Sequence, residues 1–127
     1  RFCYRAQCFQ TTRLLASMLD IPEDKYTVVF QSRLGNDPWI QPYADDVIKE
    51  LAEKGKKSIL TFSTSFVADC LETTIEIGEE FKEVFEEHGG EHWQMVESLN
   101  SDDTWVDCLK EIVLEKMEKK AVTEASL

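Results

Sequence analysis

Residues Ser58–Glu80 read SILTFSTSFVADCLETTIEIGEE, and the point at which this stretch changes period decides the fold. Its first six residues, Ser58 to Ser63, form a short run rich in Ile, Leu, Thr and Phe, the composition of a strand. Beyond Asp69 the pattern becomes helical: Leu71, Ile75, Gly78, Phe81 and Phe85 make an apolar stripe, so a helix is expected over about Asp69 to His88. A strand followed directly by a helix implies a crossover to another parallel strand. HWQMVES, His92 to Ser98, supplies that strand after a stop at Gly89-Gly90.

The same alternation continues on both sides. Upstream, Tyr4 to Leu19 reads as an amphipathic helix carrying Ala6, Thr11, Leu14, Leu15, Met18 and Leu19, stopped by DIPEDKY. YTVVF, Tyr26 to Phe30, is β-branched and aromatic and reads as a strand. The following QSRLGNDPWIQP, with two Pro and a Gly, is a long irregular loop of the kind that often carries function. A helix is expected from about Tyr43 to Lys54, with Asp45 and Asp46 at the positive end of its dipole and Gly55 as its stop. Downstream, NSDDTWVDCLKEIVLEKMEKK reads as a final helix capped by Asp102 or Asp103 and ending at Lys119-Lys120, with AVTEASL as a frayed tail.

The order α-β-α-β-α-β-α predicts an α/β fold: one domain over residues 1–127, a three-layer doubly wound parallel sheet of about three strands with helices on both faces. Three strands make a thin sheet, and the chain opens on a helix at Arg1 rather than on Met. The expectation is therefore a piece of something longer.

Charge is divided unevenly. The chain carries a net charge of −11, and residues 1–60 hold 9 Lys/Arg against 8 Asp/Glu while residues 61–127 hold 5 against 17. An acidic half repels phosphate backbones and attracts cations, so no nucleic-acid partner is expected. No run reaches the roughly 18–20 apolar residues that a membrane span needs, so no transmembrane segment is expected. Cys3, Cys8, Cys70 and Cys108 have neither zinc-knuckle nor disulfide-framework spacing and read as reduced thiols of a cytoplasmic protein.

Ligands of open parallel sheets bind outside the carboxyl ends of the strands. Two loops leave such ends, QSRLGNDPW and TSFVADCLET, and they are expected side by side. On the second, Glu72, Glu76 and Glu80 lie at i, i+4 and i+8 behind Asp69, a carboxylate line along one helix face. Such a line can hold hard divalent ions or pass protons. Spacing alone reads more readily as a solvated acidic face. On the first loop, Gln31, Ser32 and Arg33 could meet an anionic group and Trp39 could stack on a flat apolar ligand, or serve as loop anchor and surface charge. His88 and His92 fall at the opposite end of the third strand, where no role is expected.

CYRAQCFQTTRLLA (Cys3–Ala16), FQSRLGNDPWIQPYADDVIKELAEKGKKSIL (Phe30–Leu60) and FVADCLETTIEIGEE (Phe66–Glu80) closely resemble the carboxyl-terminal half of ferrochelatase, over about Phe2 to Val113. That enzyme, a lyase of haem biosynthesis, inserts ferrous iron into protoporphyrin IX. The resemblance implies two doubly wound domains around a porphyrin cleft, of which this chain is most of the second and the amino-terminal domain is missing. It implies Glu72 as the catalytic carboxylate, Glu76 and Glu80 continuing a metal or proton path, and Gln31, Ser32, Arg33, Trp39, Asp69 and Cys70 lining the cleft, with Ser32 near a propionate. Cys70 stands where many relatives have His. The family's metal-side His, in a Ser-x-His-Gly motif upstream of the matching region, is absent.

The implied partners are protoporphyrin IX and a divalent metal, with ferrous iron as substrate, no tightly bound cofactor and no iron–sulfur cluster. The expected location is the cytoplasm, peripheral to a membrane in the parent enzyme. With half the cleft absent, the chain alone is expected to be inactive. The open half-cleft is expected to favour self-association. Two alternatives stand beside this reading: a non-catalytic metal- or tetrapyrrole-binding module, and a half-size chelatase that pairs with itself.

Overall fold

The computed structural model describes residues 3–33, 35 and 37–124, the side chains of 120–124 aside. Helix α1 spans Tyr4–Met18, a 3-10 turn covers Glu23–Lys25, and α2 spans Ala44–Glu53. Strand β1 (Ser58–Thr61) leads through a turn to a π-helical segment at Glu72–Glu80, which runs straight into α3 (Phe81–Glu87). Strand β2 (His92–Met95) and helix α4 (Asp103–Glu124) complete the order.

Local chemistry sets the helix ends. Beyond α2, Gly55 adopts φ 82° and the Lys56 N–H reaches back to the Leu51 carbonyl (3.0 Å). Beyond α3, Gly89 adopts φ 99° and the Gly90 N–H reaches the Phe85 carbonyl (2.9 Å). Both closures satisfy carbonyls that a helix end leaves open, and both place glycine where a side chain would be strained. Asp102 caps α4, its carboxylate accepting the N–H of Thr104 (2.9 Å) and of Trp105 (3.1 Å). That settles the choice between Asp102 and Asp103. The helix runs past Lys119-Lys120 through Glu124, so the expected fraying does not begin at Ala121; residues 125–127 of that tail lie outside the described residues.

The sheet departs from expectation. Its two strands pair in parallel, Ser58 opposite His92 through Thr61 opposite Met95. Tyr26–Phe30, read as a third strand, joins no ladder among the described residues. The Phe30 N–H donates to the Pro42 carbonyl (2.9 Å) and its carbonyl accepts the Ala44 N–H (2.9 Å), leaving one isolated bridge to Tyr43. Both backbone groups of Phe30 are thus taken by the far end of its own loop.

The core lies on one face of this sheet. Ala44, Ile48 and Ala52 of α2 bury against Phe85 of α3, with Val29, Ile59, Phe81, Val84 and Trp93 packed around them. Ile59 and Trp93 are register partners and point the same way; Leu60, on the opposite face, is 64% exposed. Parallel sheets are ordinarily covered on both faces. Here the described residues form two layers rather than three, so the doubly wound arrangement is not realised within them. The accessible surface is 9936 Å², against roughly 6,900 Å² for a folded monomer of this mass. Apolar side chains on α1 (Leu14, Met18) and α4 (Val113, Met117) contribute to the excess.

Phe85 is the best-buried large side chain, with its ring edge-tilted to Trp93 at a centroid distance of 5.8 Å. Gly90 makes that burial possible, because a Cβ there would lie 2.2 Å from the Phe85 ring. Gly90→Ala is therefore expected to cost about 1–3 kcal/mol through overpacking. A urea melt checks this: a lowered midpoint with unchanged slope is expected, and an unmoved midpoint would show that the α3–β2 turn has room to yield.

Candidate active site

The chain leaves β1 at Thr61, turns at Thr64–Ser65, and enters a helix at Leu71. Residues Glu72–Glu80 then adopt π-helical rather than α-helical bonding, with the Phe81 N–H reaching the Glu76 carbonyl five residues back. The sequence ETTIEIGEE explains why the helix loosens here: Thr73, Thr74, Ile75, Ile77 and Gly78 are all poor α-helix formers, and like charges at i, i+4 oppose α geometry further. The expected α-helix from Asp69 to His88 is thus a π-segment joined to a shorter α-helix. π-Helical turns are rare and concentrate at functional sites.

The start of this segment is fastened. Asn100 and Asp69 make a reciprocal clamp. The Asp69 N–H donates to Asn100 Oδ1 (2.9 Å), and Asn100 Nδ2 donates to Asp69 Oδ2 (2.9 Å). The Asn100 N–H also donates to the Val67 carbonyl (2.9 Å), from a left-handed backbone with φ 48°. Thr73, fully buried, accepts the Cys70 N–H (3.0 Å) and donates to the Cys70 carbonyl (3.0 Å), with the Cys70 thiol 3.8 Å from its hydroxyl. Asp69 and Cys70 therefore shape the turn that presents Glu72.

The two loops do lie side by side, held by side chains rather than by pairing of their strands. Gln31 Nε2 donates to the Glu72 carbonyl (3.1 Å) and to Glu76 Oε2 (3.1 Å). The Ser32 N–H donates to Glu76 Oε1 (2.8 Å), and the Ser32 hydroxyl to Glu76 Oε2 (2.7 Å). Trp39, itself 39% exposed, joins the group through its indole N–H to the Gln31 carbonyl (2.9 Å). Arg33 turns aside, its guanidinium 4.7 Å from the centre of the Tyr43 ring. The carboxylates of Glu72 and Glu80 are exposed and have no partner among the described residues. Leu34 and Asn36 of the first loop lie outside the described residues.

Sequence reasoning found Gln31, Ser32, Trp39, Glu72 and Glu76 as neighbours but missed Asn100. Its signal was present: a lone Asn just past a strand's carboxyl end, on the rim where sites form, of a residue type that tolerates left-handed backbone. His88 is spent on the Val84 carbonyl (2.8 Å), and His92 begins β2 at the opposite end of the sheet. A shallow concavity of about 510 Å³ lies along the strands between Ser58, Leu60, Glu86, His92 and Gln94. It contains none of the residues assembled around Glu72. Among the described residues no three His, Cys, Asp or Glu side chains converge into a metal-holding set.

An exposed, unpartnered carboxylate on a helix hydrogen-bonded to a loop that carries an indole can take up a proton or a cation. Comparison with known proteins gives that chemistry a context. The family model described as ferrochelatase matches residues 2–117. The chain is 48% identical over 114 residues to the ferrochelatase of Legionella pneumophila strain Lens, covering 90% of this chain and 34% of that protein. It is 49% identical over 107 residues to that of Pseudomonas fluorescens, covering 84% and 31%. With that of Idiomarina loihiensis it shares 40% over 123 residues, covering 97% and 34%. The chain spans about a third of the length of these curated relatives.

Proposed function

The chain belongs to the ferrochelatase family, and from that premise we propose that it forms one wall of a porphyrin cleft in which ferrous iron is inserted into protoporphyrin IX. The observation that carries this reading is the free carboxylate of Glu72, four residues before Glu76 on a helix fastened to the loop of Gln31, Ser32 and Trp39. In this reading the chain is the carboxyl-terminal domain of a haem-synthesis lyase of the cytoplasm, peripheral to the membrane. No described helix is long and apolar enough to cross a bilayer.

Insertion brings in one divalent ion and releases two pyrrole protons. Porphyrin lies against the Trp39 indole, and Ser32 meets a propionate at the cleft edge. Glu72 accepts a pyrrole proton or delivers the metal, which is substrate rather than resident cofactor. Asp69 and Cys70 line the base of the cleft by holding the turn before Glu72. Glu80 extends the acidic surface outward, its carboxylate free to meet ions or protons from solvent. Glu76, already accepting three hydrogen bonds from Gln31 and Ser32, sits between them. Arg33, stacked on Tyr43, completes the basic edge of the same loop. With one wall only, the chain alone binds porphyrin without turning it over.

Titration of residues 1–127 with protoporphyrin IX, followed by porphyrin fluorescence, tests this. Saturable binding is expected, weakened roughly 10-fold or more in Trp39→Ala, since base-size aromatic stacking is worth about 1–3 kcal/mol. Zinc insertion by the chain alone is expected to match the protein-free rate. Equal binding by wild type and Trp39→Ala would remove Trp39 from the cleft, and insertion above the control would favour a self-paired chelatase.

A further inference from the structure

The three glutamates of the acidic line are not equivalent. Glu72 and Glu80 present carboxylates with no partner among the described residues, whereas both oxygens of Glu76 are occupied. Oε1 takes the Ser32 N–H at 2.8 Å; Oε2 takes the Ser32 hydroxyl at 2.7 Å and Gln31 Nε2 at 3.1 Å. All of these donors come from the other loop, 44 or 45 residues away in sequence. The backbone of Ser32 is left-handed, φ 59°, a conformation a non-glycine residue holds only when its surroundings require it. The Gln31 carbonyl in turn takes the Trp39 indole N–H at 2.9 Å. An ion reaching Glu76 would meet a carboxylate already accepting three hydrogen bonds, one on Oε1 and two on Oε2.

We propose that Glu76 is a positioning residue: its carboxylate latches the Gln31–Ser32 loop, and through it the Trp39 indole, onto the π-helical segment that carries Glu72, and does not itself carry ions or protons. This rests on the porphyrin reading for its purpose but not for its test. The line of three is two free carboxylates with a latch between them, so the place of the Glu72 backbone relative to the Trp39 indole is set before any ligand arrives. Such preorganisation is what positions reacting groups without cost at the moment of reaction.

The chain holds three tryptophans, so 5-fluorotryptophan labelling gives three ¹⁹F resonances, each assigned by its own Trp→Phe variant. In residues 1–127 without porphyrin or metal, Glu76→Gln keeps the side chain's size but turns one acceptor into a donor facing Gln31 and Ser32. The Trp39 resonance is expected to move by more than its linewidth while those of Trp93 and Trp105 stay. Gln31→Ala is expected to move it likewise, and Glu80→Gln to move none. Ser32→Ala, which removes one bond and leaves the backbone N–H in place, is expected to move Trp39 by less. An unmoved Trp39 resonance in Glu76→Gln and Gln31→Ala overturns the latch. So does broadening of that resonance by Mn²⁺ in wild type that vanishes in Glu76→Gln while its position is unchanged, because that is the behaviour of an ion carrier. Failure of wild type to bind protoporphyrin IX would instead count against the porphyrin reading alone.

Discussion

Glu72→Gln is expected to lower the rate of metal insertion by about 10²–10⁴-fold, the range over which a positioned proton-transfer group contributes. The measurement belongs in a full-length relative in which residues 2–117 of this chain replace the matching segment, so that both walls of the cleft are present. Gln occupies the same volume and keeps the backbone carbonyl that Gln31 binds, so the turn and helix are expected to survive. What is lost is the negative charge and the proton-accepting oxygen, and the loss should fall on kcat rather than on porphyrin KM. A rate within about twofold of the parent would take the chemistry away from Glu72. A raised KM with unchanged kcat would make Glu72 a binding contact instead.

The second large effect concerns stability. Phe85→Ala is expected to cost about 3–5 kcal/mol, as for other fully buried aromatic truncations. Domains of ordinary size hold only about 5–15 kcal/mol in total, and here a single one-sided core joins α2, α3 and the sheet around that ring. The thermal midpoint should fall by roughly 10–20 °C, or the chain should fail to fold cooperatively at room temperature. Circular dichroism at 222 nm would show it. A fall of only about 1–2 °C would mean that Trp93 and Ile59 close over the vacancy.

Those two residues also mark what could be read from the amino acids alone. Glu72 was legible as one of a line of carboxylates beyond a strand's end, set apart from the others only by the family resemblance, and Gln31, Ser32 and Trp39 as polar and aromatic members of a long loop; the helix stops at Gly55 and Gly89 and a cap at Asp102 or Asp103 followed from local backbone chemistry. Features that depend on distant partners were not legible. Whether Tyr26–Phe30 enters a sheet is decided by competition for the backbone of Phe30, which residues 42–44 win. Covering of the second sheet face cannot be seen in a period-2 pattern as short as SILT. The π-segment follows from weak α propensity summed over Thr73 to Gly78, yet no periodicity separates it from an α-helix. Asn100 escaped notice because its importance lies in what it clasps 31 residues away.

The apolar surface left open on the sheet and on α1 and α4 has a calorimetric consequence. An unfolded chain of this mass exposes roughly 21,000 Å², so with 9936 Å² still accessible after folding, folding removes about a fifth less surface than in a compact domain of equal length. Heat capacity of unfolding and denaturant slope both scale with that difference. The stability curve of this chain is therefore flatter with temperature than its length predicts: cold loosens it less, and a given loss in free energy spreads over a broader melt. Covering the exposed Leu60 face and the apolar flanks of α1 and α4 would restore curvature, so the heat capacity itself reports how much of that surface has found a cover.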